Sequence, residues 1–307
     1  MPTTTKLDAY RDLAHRTAER LAGHSQEWLR FLDTAARLYK YPYPEQLLIH
    51  AQRPQAIACA DYDTWKIRMG RYVRRGAAGI ALVRRSRNGD PVLRYVFDVA
   101  DTGTGQNARC PFLWKYCPEY AGAVAAALEK RFEVPGGNSL TEQLVKAAVQ
   151  IVNTYWLDFA HDIQISMRSS QMGDYDEDNV SLRFRNAAIA SVSYVLLTRC
   201  GIDVKDVFTD EDFQCIGEFD SAEAISTLGT AVSVLTEDVL RTVENAIRTF
   251  EREKLDAGAA APGPESGGPA PASEAENDPP PAAEPAATGD ARPKRAPRKR
   301  KAKPKTA

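Results

Sequence analysis

The pattern of apolar positions predicts helices at the start of the chain. Apolar residues recur at helical spacing through residues 6–39, with a break near Gly23, and again over residues 45–52. A fourth, shorter helix is predicted over residues 62–69, where aromatic and apolar side chains return every three or four positions. The first part of the chain is therefore predicted to be helical, with the first strand only after these helices.

The period then changes from that of a helix to that of a strand. Residues 71–74, 79–85 and 91–99 are predicted strands, and the Asn-Gly-Asp sequence at residues 88–90 is typical of a hairpin turn. Residues 1–115 are therefore predicted to form an α+β domain with a small antiparallel sheet. Alternation along the last strand assigns side chains to two faces: Leu93, Tyr95, Phe97 and Val99 on one, and Arg94 and Asp98 on the other. The Gly-Thr-Gly sequence at residues 103–105, after this strand, is predicted to form a flexible turn.

Residues 139–253 return to helical periodicity and are predicted to form an all-α domain. One helix is expected over residues 180–200, with Gly201 as its cap, and the last helix is expected to break near Gly229. Residues 174–178 form a predicted acidic loop between helices.

Beyond residue 253 the composition no longer supports a core. Residues 254–290 are rich in Ala, Pro, Gly and Glu and lack aromatic residues, which predicts a disordered linker. Residues 291–307 carry nine basic residues and no acidic one. Such a tail is typical of an electrostatic arm for nucleic acid, or of a localisation signal. As a flexible arm, it is expected to strengthen binding to single and double strands alike.

Charge is distributed unevenly along the 307 residues, although the net charge is only -1. Residues 1–100 hold 17 basic and 10 acidic residues, residues 101–253 hold 13 and 24, and the remainder hold 10 and 7. Because binding depends on the local field, the basic first part and the acidic second part predict different partners.

The basic excess is concentrated in residues 65–87, which contain eight cations and no acidic residue. Cations attract phosphates and aromatic faces stack on unpaired bases, so single-stranded nucleic acid is the predicted ligand. Tyr72 is the preferred stacking residue, because the helical spacing of Trp65 favours a core position. The candidate binding residues are Lys66, Arg68, Arg71, Tyr72, Arg74, Arg75, Arg84, Arg85 and Arg87.

Several segments in fixed order resemble a known family. They are QLLIHAQRP at residues 46–54, residues 60–65, GRYVRRG at residues 70–76 with Gly79-Ile80, and YVFDV at residues 95–99 with Asp101-Thr102. Together they resemble the N-terminal domain of ArdC-type antirestriction proteins, over residues 5–115. The resemblance implies binding of single-stranded DNA with little sequence preference, in an accessory protein of a mobile genetic element. Similar domains open large polyvalent proteins of such elements.

The chain departs from that family in its second part. ArdC-type proteins continue into a metallopeptidase-like domain with a His-Glu-x-x-His helix, whereas the four histidines here are never followed by Glu. The sequence therefore predicts no enzymatic activity, no catalytic metal and no cofactor. His161 is interpreted as an ordinary helix residue, and the five cysteines as reduced thiols.

Three alternatives remain open on the sequence alone, and one is that the chain is a remnant of a larger enzyme. The basic run could be a solvated edge that merely keeps a strand from pairing with another chain. The protein could also be an adaptor whose acidic helical domain binds another protein. The lack of a long apolar run or a signal region predicts a cytoplasmic protein without membrane contact.

Overall fold

The predicted order of an α+β part followed by a helical part is confirmed by the computed structural model, which describes residues 5–136 and 139–260. Its helices are α1 (Lys6–Leu21), α2 (Ser25–Arg37), α3 (Tyr43–Gln52), α4 (Ala121–Phe132), α5 (Leu140–Tyr155), α6 (Ala160–Met167), α7 (Glu177–Cys200) and α8 (Ala222–Ala260). Its strands are β1 (Cys59–Ala60), β2 (Arg71–Val73), β3 (Ile80–Arg85), β4 (Pro91–Asp98) and β5 (Thr102–Thr104). The tail from residue 261 lies outside the described residues.

Local sequence signals set several helix ends. Thr5 and Asp8 form a capping box at the start of α1. Gly201 ends α7 with a φ of 79°, a left-handed conformation that glycine adopts without strain. The predicted acidic loop is only partly a loop, because Asp176 caps α7 and accepts a hydrogen bond from the backbone N–H of Asn179. Carboxylates at this position stabilise the positive end of the helix dipole.

The five strands form two separate antiparallel sheets. One has the order β1-β4-β3, and the other is a two-stranded ribbon of β2 and β5. The predicted hairpin joins β3 to β4 through a turn in which the backbone N–H of Ser86 donates to the carbonyl of Asp90 at 2.7 Å. Gly89 in this turn has a φ of 87°, as the Asn-Gly signal predicts. The fourth predicted helix is present and short: residues 62 and 63 are α-helical, and Thr64–Arg68 is a π-helical turn.

The two faces of β4 differ from the expectation that apolar side chains are buried and polar ones exposed. Val96 and Asp98 are buried, whereas Tyr95 is 40% exposed. Asp98 is satisfied inside the protein because its carboxylate accepts hydrogen bonds from the backbone N–H groups of Ile57 and Ala58, at 3.0 and 2.9 Å. These two hydrogen bonds offset the free-energy cost of burying a charged carboxylate at this position.

Helix α3 connects the sheet to the helical part. Its Leu48 and Ile49 belong to a small core with the strand residues Ile80 and Leu82. Its Tyr43 and Leu47 belong to the large core, which also contains residues of α1, α2, α4, α5, α6, α7 and α8. The sequence boundaries at residues 1–115 and 139–253 therefore do not coincide with separate hydrophobic cores.

A buried carboxylate on α8 joins segments from across the chain. Glu244 accepts hydrogen bonds from the hydroxyl of Tyr39 at 2.5 Å, from Lys40 Nζ at 2.8 Å and from the Arg248 guanidinium at 2.8 Å. The indole N–H of Trp114 donates to the same tyrosine hydroxyl at 3.0 Å. Burial alone would raise the pKa of Glu244, but the hydrogen bonds from Lys40, Tyr39 and Arg248 lower it. The group is therefore a stable carboxylate at neutral pH.

The prediction that the last helix breaks near Gly229 is wrong. Helix α8 runs without interruption from Ala222 to Ala260, so it also includes the first residues of the predicted linker. Gly229 serves close packing instead, because a Cβ there would lie 2.2 Å from the ring of Tyr43. Among the described residues, no helix combines the length and apolar character needed to cross a membrane.

Replacing Gly229 with Ala is expected to destabilise the protein by about 1–3 kcal/mol, because the buried Tyr43 ring cannot move away from the new methyl group. Gly122, in α4, is the matched control, since a Cβ there meets nothing within 4 Å. Gly122→Ala is expected to stabilise by about 0.4–1 kcal/mol. Urea unfolding of both variants measures the difference, and equal effects would contradict the packing argument.

Replacing Glu244 with Gln is expected to lower the free energy of unfolding by about 1.5–3 kcal/mol, because Lys40 and Arg248 lose the anionic acceptor that compensates their charge. The control is Glu237→Gln on the same helix, where an exposed pair with Arg241 is worth under about 1 kcal/mol. Chemical denaturation at neutral pH tests both. A Glu244 variant as stable as the control would show that the network contributes nothing.

Candidate nucleic-acid interface

The β2–β5 ribbon holds the centre of the predicted site. Arg71 pairs with Thr104, Tyr72 with Gly103 and Val73 with Thr102. The ribbon depends on Gly70, which has a φ of 61° and whose Cβ, if present, would lie 2.6 Å from the carbonyl oxygen of Asn107. Only glycine combines this backbone conformation with so close an approach.

Tyr72 lies across the ribbon and leaves much of its ring in solvent. Its side chain is 56% exposed, and a Cβ on Gly103 would lie 2.3 Å from the ring. Because Gly103 has no side chain, the Tyr72 ring packs directly on the backbone of β5. The sequence interpretation of residues 103–105 as a flexible turn is wrong, because Gly103 is a buried strand residue. A glycine within a strand signals such a close approach.

The arginines of the ribbon are held by uncharged partners. Arg71 Nε donates to Thr102 Oγ1 at 2.8 Å, and Arg74 donates to the carbonyl of Ala100 at 3.2 Å. These bonds fix the direction of the side chains without neutralising them. Arg75 is exposed and is not paired with a carboxylate among the described residues. The three guanidinium groups therefore keep their full positive charge.

The π-helical turn before β2 adds further cations. Lys66 Nζ lies 5.7 Å from the centre of the Tyr62 ring, and Arg68 is exposed. Ile67, between them, is 75% exposed. Trp65 is buried and donates its indole N–H to the carbonyl of Phe97 at 2.9 Å, so it occupies the core position that its spacing favours.

The remaining predicted arginines lie at the far end of the β3–β4 hairpin. In the antiparallel sheet, Arg85 of β3 lies opposite Pro91 at the start of β4. Phe97, near the other end of β4, accepts the indole hydrogen bond of Trp65 and so lies beside the turn that leads to the ribbon. Pro91 and Phe97 are six steps apart along β4, or about 20 Å at roughly 3.4 Å per residue. The structure thus divides the predicted site into two groups. We call Lys66, Arg68, Arg71, Tyr72, Arg74 and Arg75 the ribbon surface, and Arg84, Arg85 and Arg87 the hairpin group.

Arg84 differs from the other candidates because it is already paired. Its guanidinium forms two hydrogen bonds with the carboxylate of Glu45, both at 2.6 Å. Arg53 likewise forms an ion pair, with Asp101. Arg53 therefore joins the end of α3 to the segment before β5.

One cation near the ribbon could not be identified from local sequence. The backbone N–H of Arg109 donates to the carbonyl of Met69 at 2.8 Å, which places this exposed arginine beside the start of β2. About forty positions separate the two residues in the chain, so no short motif connects them.

Within the described ranges, no group of three or more His, Cys, Asp or Glu residues is placed to hold a metal ion. The five cysteines are free thiols. Burial raises the pKa of Cys59 and of Cys200 to about 12, so neither thiol is a thiolate at neutral pH. The described side chains thus offer cations and rings for binding, and the prediction of no enzymatic activity stays a prediction.

No protein-family model matches the chain, and no curated protein or solved structure matches it either. The resemblance to the ArdC-type domain therefore remains a prediction from the motifs.

If Tyr72 is a stacking surface, Tyr72→Leu should weaken binding of a single strand by about 1–3 kcal/mol and leave the salt dependence unchanged, because no charge is lost. Gly103→Ala should weaken binding in the same way, since the added methyl group displaces the ring. Tyr95→Leu, at another exposed tyrosine, is the control. Equal affinity of all three folded variants in an anisotropy titration would remove Tyr72 from the site.

Proposed function

We propose that the protein binds single-stranded DNA with little sequence preference through the ribbon surface. The observation that supports this most directly is uncompensated charge. Five cations lie on the ribbon or on the turn before it, in the same segment as the exposed Tyr72, and none of them forms an ion pair with a carboxylate in the described part of the chain. Contact of these cations with phosphates would release the counterions condensed on the nucleic acid, which favours association at low salt.

The exposed ring is the reason for proposing a single strand. In a duplex the bases are paired and stacked on one another, so Tyr72 would have no free base to contact. In a single strand an unpaired base can lie on the ring while neighbouring phosphates contact the arginines. Nothing in this arrangement reads the edges of a particular base, which agrees with weak sequence preference.

The resemblance to the ArdC-type domain also suggests a biological role for this DNA binding. An accessory or antirestriction-type role in a mobile genetic element is proposed on that resemblance, with the DNA-binding surface as its physical basis.

A second candidate, a protein-binding adaptor, is supported by exposed apolar side chains in the acidic helical part. Leu157, Ile165 and Leu182 are 64%, 53% and 47% exposed. An adaptor that acts through them would not need the ribbon cations, and it would capture a protein partner through residues 139–253.

The test is the joint replacement of Arg71, Arg74 and Arg75 with Ala in the full chain. Each lost phosphate contact is expected to reduce the slope of log affinity against log salt by about 0.7, so the slope should fall by about 2 units. The measurement is an anisotropy titration with labelled oligothymidine at several salt concentrations.

The control for this variant removes the same total charge elsewhere. Arg131, Arg241 and Arg252 lie on α4 and α8, and their joint replacement with Ala should leave the slope close to that of the unmodified protein. A ribbon variant that folds and keeps the original slope would refute the proposed function. Isolated residues 1–115 are unsuitable for the test, because they would expose the large core.

A further inference from the structure

An open groove of about 660 Å³ lies between the hairpin group and the N-terminal helices. It is bordered by Arg11 of α1, by Pro42 and Pro44 at the start of α3, and by Arg85 near the end of β3. The ion pair of Arg84 and Glu45 forms part of its lining. Its volume is in the range of small-ligand sites, roughly 300–1,000 Å³.

The ion pair holds a flat cation in a fixed plane. Both carboxylate oxygens of Glu45 accept hydrogen bonds from Arg84, and the side chain of Glu45 is only 9% exposed. The side chain of Arg84 remains 35% exposed. A guanidinium fixed in this way keeps a planar face toward the groove, and such faces stack on nucleic-acid bases.

The other charged side chains of the groove are positive. Arg85 has no carboxylate partner among the described residues, and Arg11 lies 3.7 Å from Asp8 in an exposed pair. The groove lining therefore contains three guanidinium groups and one carboxylate, and that carboxylate is fully engaged by Arg84. Pro42, Pro44 and Pro91 supply apolar walls. A flat base beside a phosphate fits this combination, because the ring can pack on the prolines and Arg84 while the anion meets Arg11 or Arg85.

We propose that this groove binds one nucleotide of the single strand that contacts the ribbon surface, with its base on Arg84 and its phosphate on Arg11 and Arg85. The inference rests on the proposed function and extends it. It explains why the predicted cations fall into two groups about 20 Å apart along β4. A strand of a few nucleotides connects them, which agrees with site sizes of about 4–16 nucleotides in single-strand-binding modules.

The test compares three variants of the full chain in the same salt titration with oligothymidine of about 16 nucleotides. The joint variant Arg11→Ala and Arg85→Ala should reduce the salt slope by about 1.4 units, because two phosphate contacts are lost. Arg84→Lys should weaken binding without changing the slope, since the charge stays while the flat face is lost. Arg94→Ala is the control, because Arg94 belongs to the same hairpin but not to the groove lining.

Thermal melting first confirms that each variant is folded. The proposal is overturned if the Arg11 and Arg85 variant keeps the original slope, whatever Arg84→Lys does. If the ribbon variant lowers the slope and the groove variant does not, the groove alone is refuted and the proposed function stands. If neither variant changes binding, both are refuted. Equal binding of free deoxythymidine monophosphate by the groove variant and the unmodified protein would also count against the groove.

Discussion

The carboxylate of Glu244 is the point on which the arrangement of the chain depends. It lies on α8, is buried, and receives hydrogen bonds from Tyr39 and Lys40 just after α2. Tyr39 in turn accepts from Trp114, whose indole ring is covered by the Arg199 guanidinium at 3.7 Å. A buried charge is tolerated only when it is fully paired, so these residues must meet in one geometry. The same geometry holds the segment that follows the ribbon against the helical part.

This constraint gives the small sheet a rigid support that it could not supply itself. A two-stranded ribbon is marginally stable alone in water. Here residues 105–113 connect β5 to Trp114, and α3 packs against the sheet on one side and belongs to the large core on the other. The close fit of Tyr43 against Gly229 fixes α3 on α8. Because these contacts hold the ribbon in place, its own side chains need not form a core and can be charged residues exposed to solvent.

Local signals in the sequence predicted the elements that local interactions create. The capped helices, the Asn-Gly hairpin and the helix ended by Gly201 all depend on residues within a few positions of one another. The misassignments are nonlocal. The expected break at Gly229 and the expected turn at Gly103 both treated a glycine as a source of flexibility, whereas each glycine leaves room for a tyrosine that is distant in sequence. No pattern within a short window carries that information.

The candidate site shows the same distinction at the level of charge. Counting cations in residues 65–87 treats all eight as equivalent, but the fold gives them different electrostatic roles. Arg84 is neutralised by Glu45, whereas Arg71 and Arg74 are oriented by a hydroxyl and a carbonyl and remain fully charged. An arginine paired with a carboxylate presents a fixed flat guanidinium on which a base can stack. An unpaired arginine keeps a positive charge that attracts phosphate. A surface that combines both kinds around an exposed ring suits a ligand with alternating flat and anionic groups, which is the chemistry of an unpaired nucleic-acid strand.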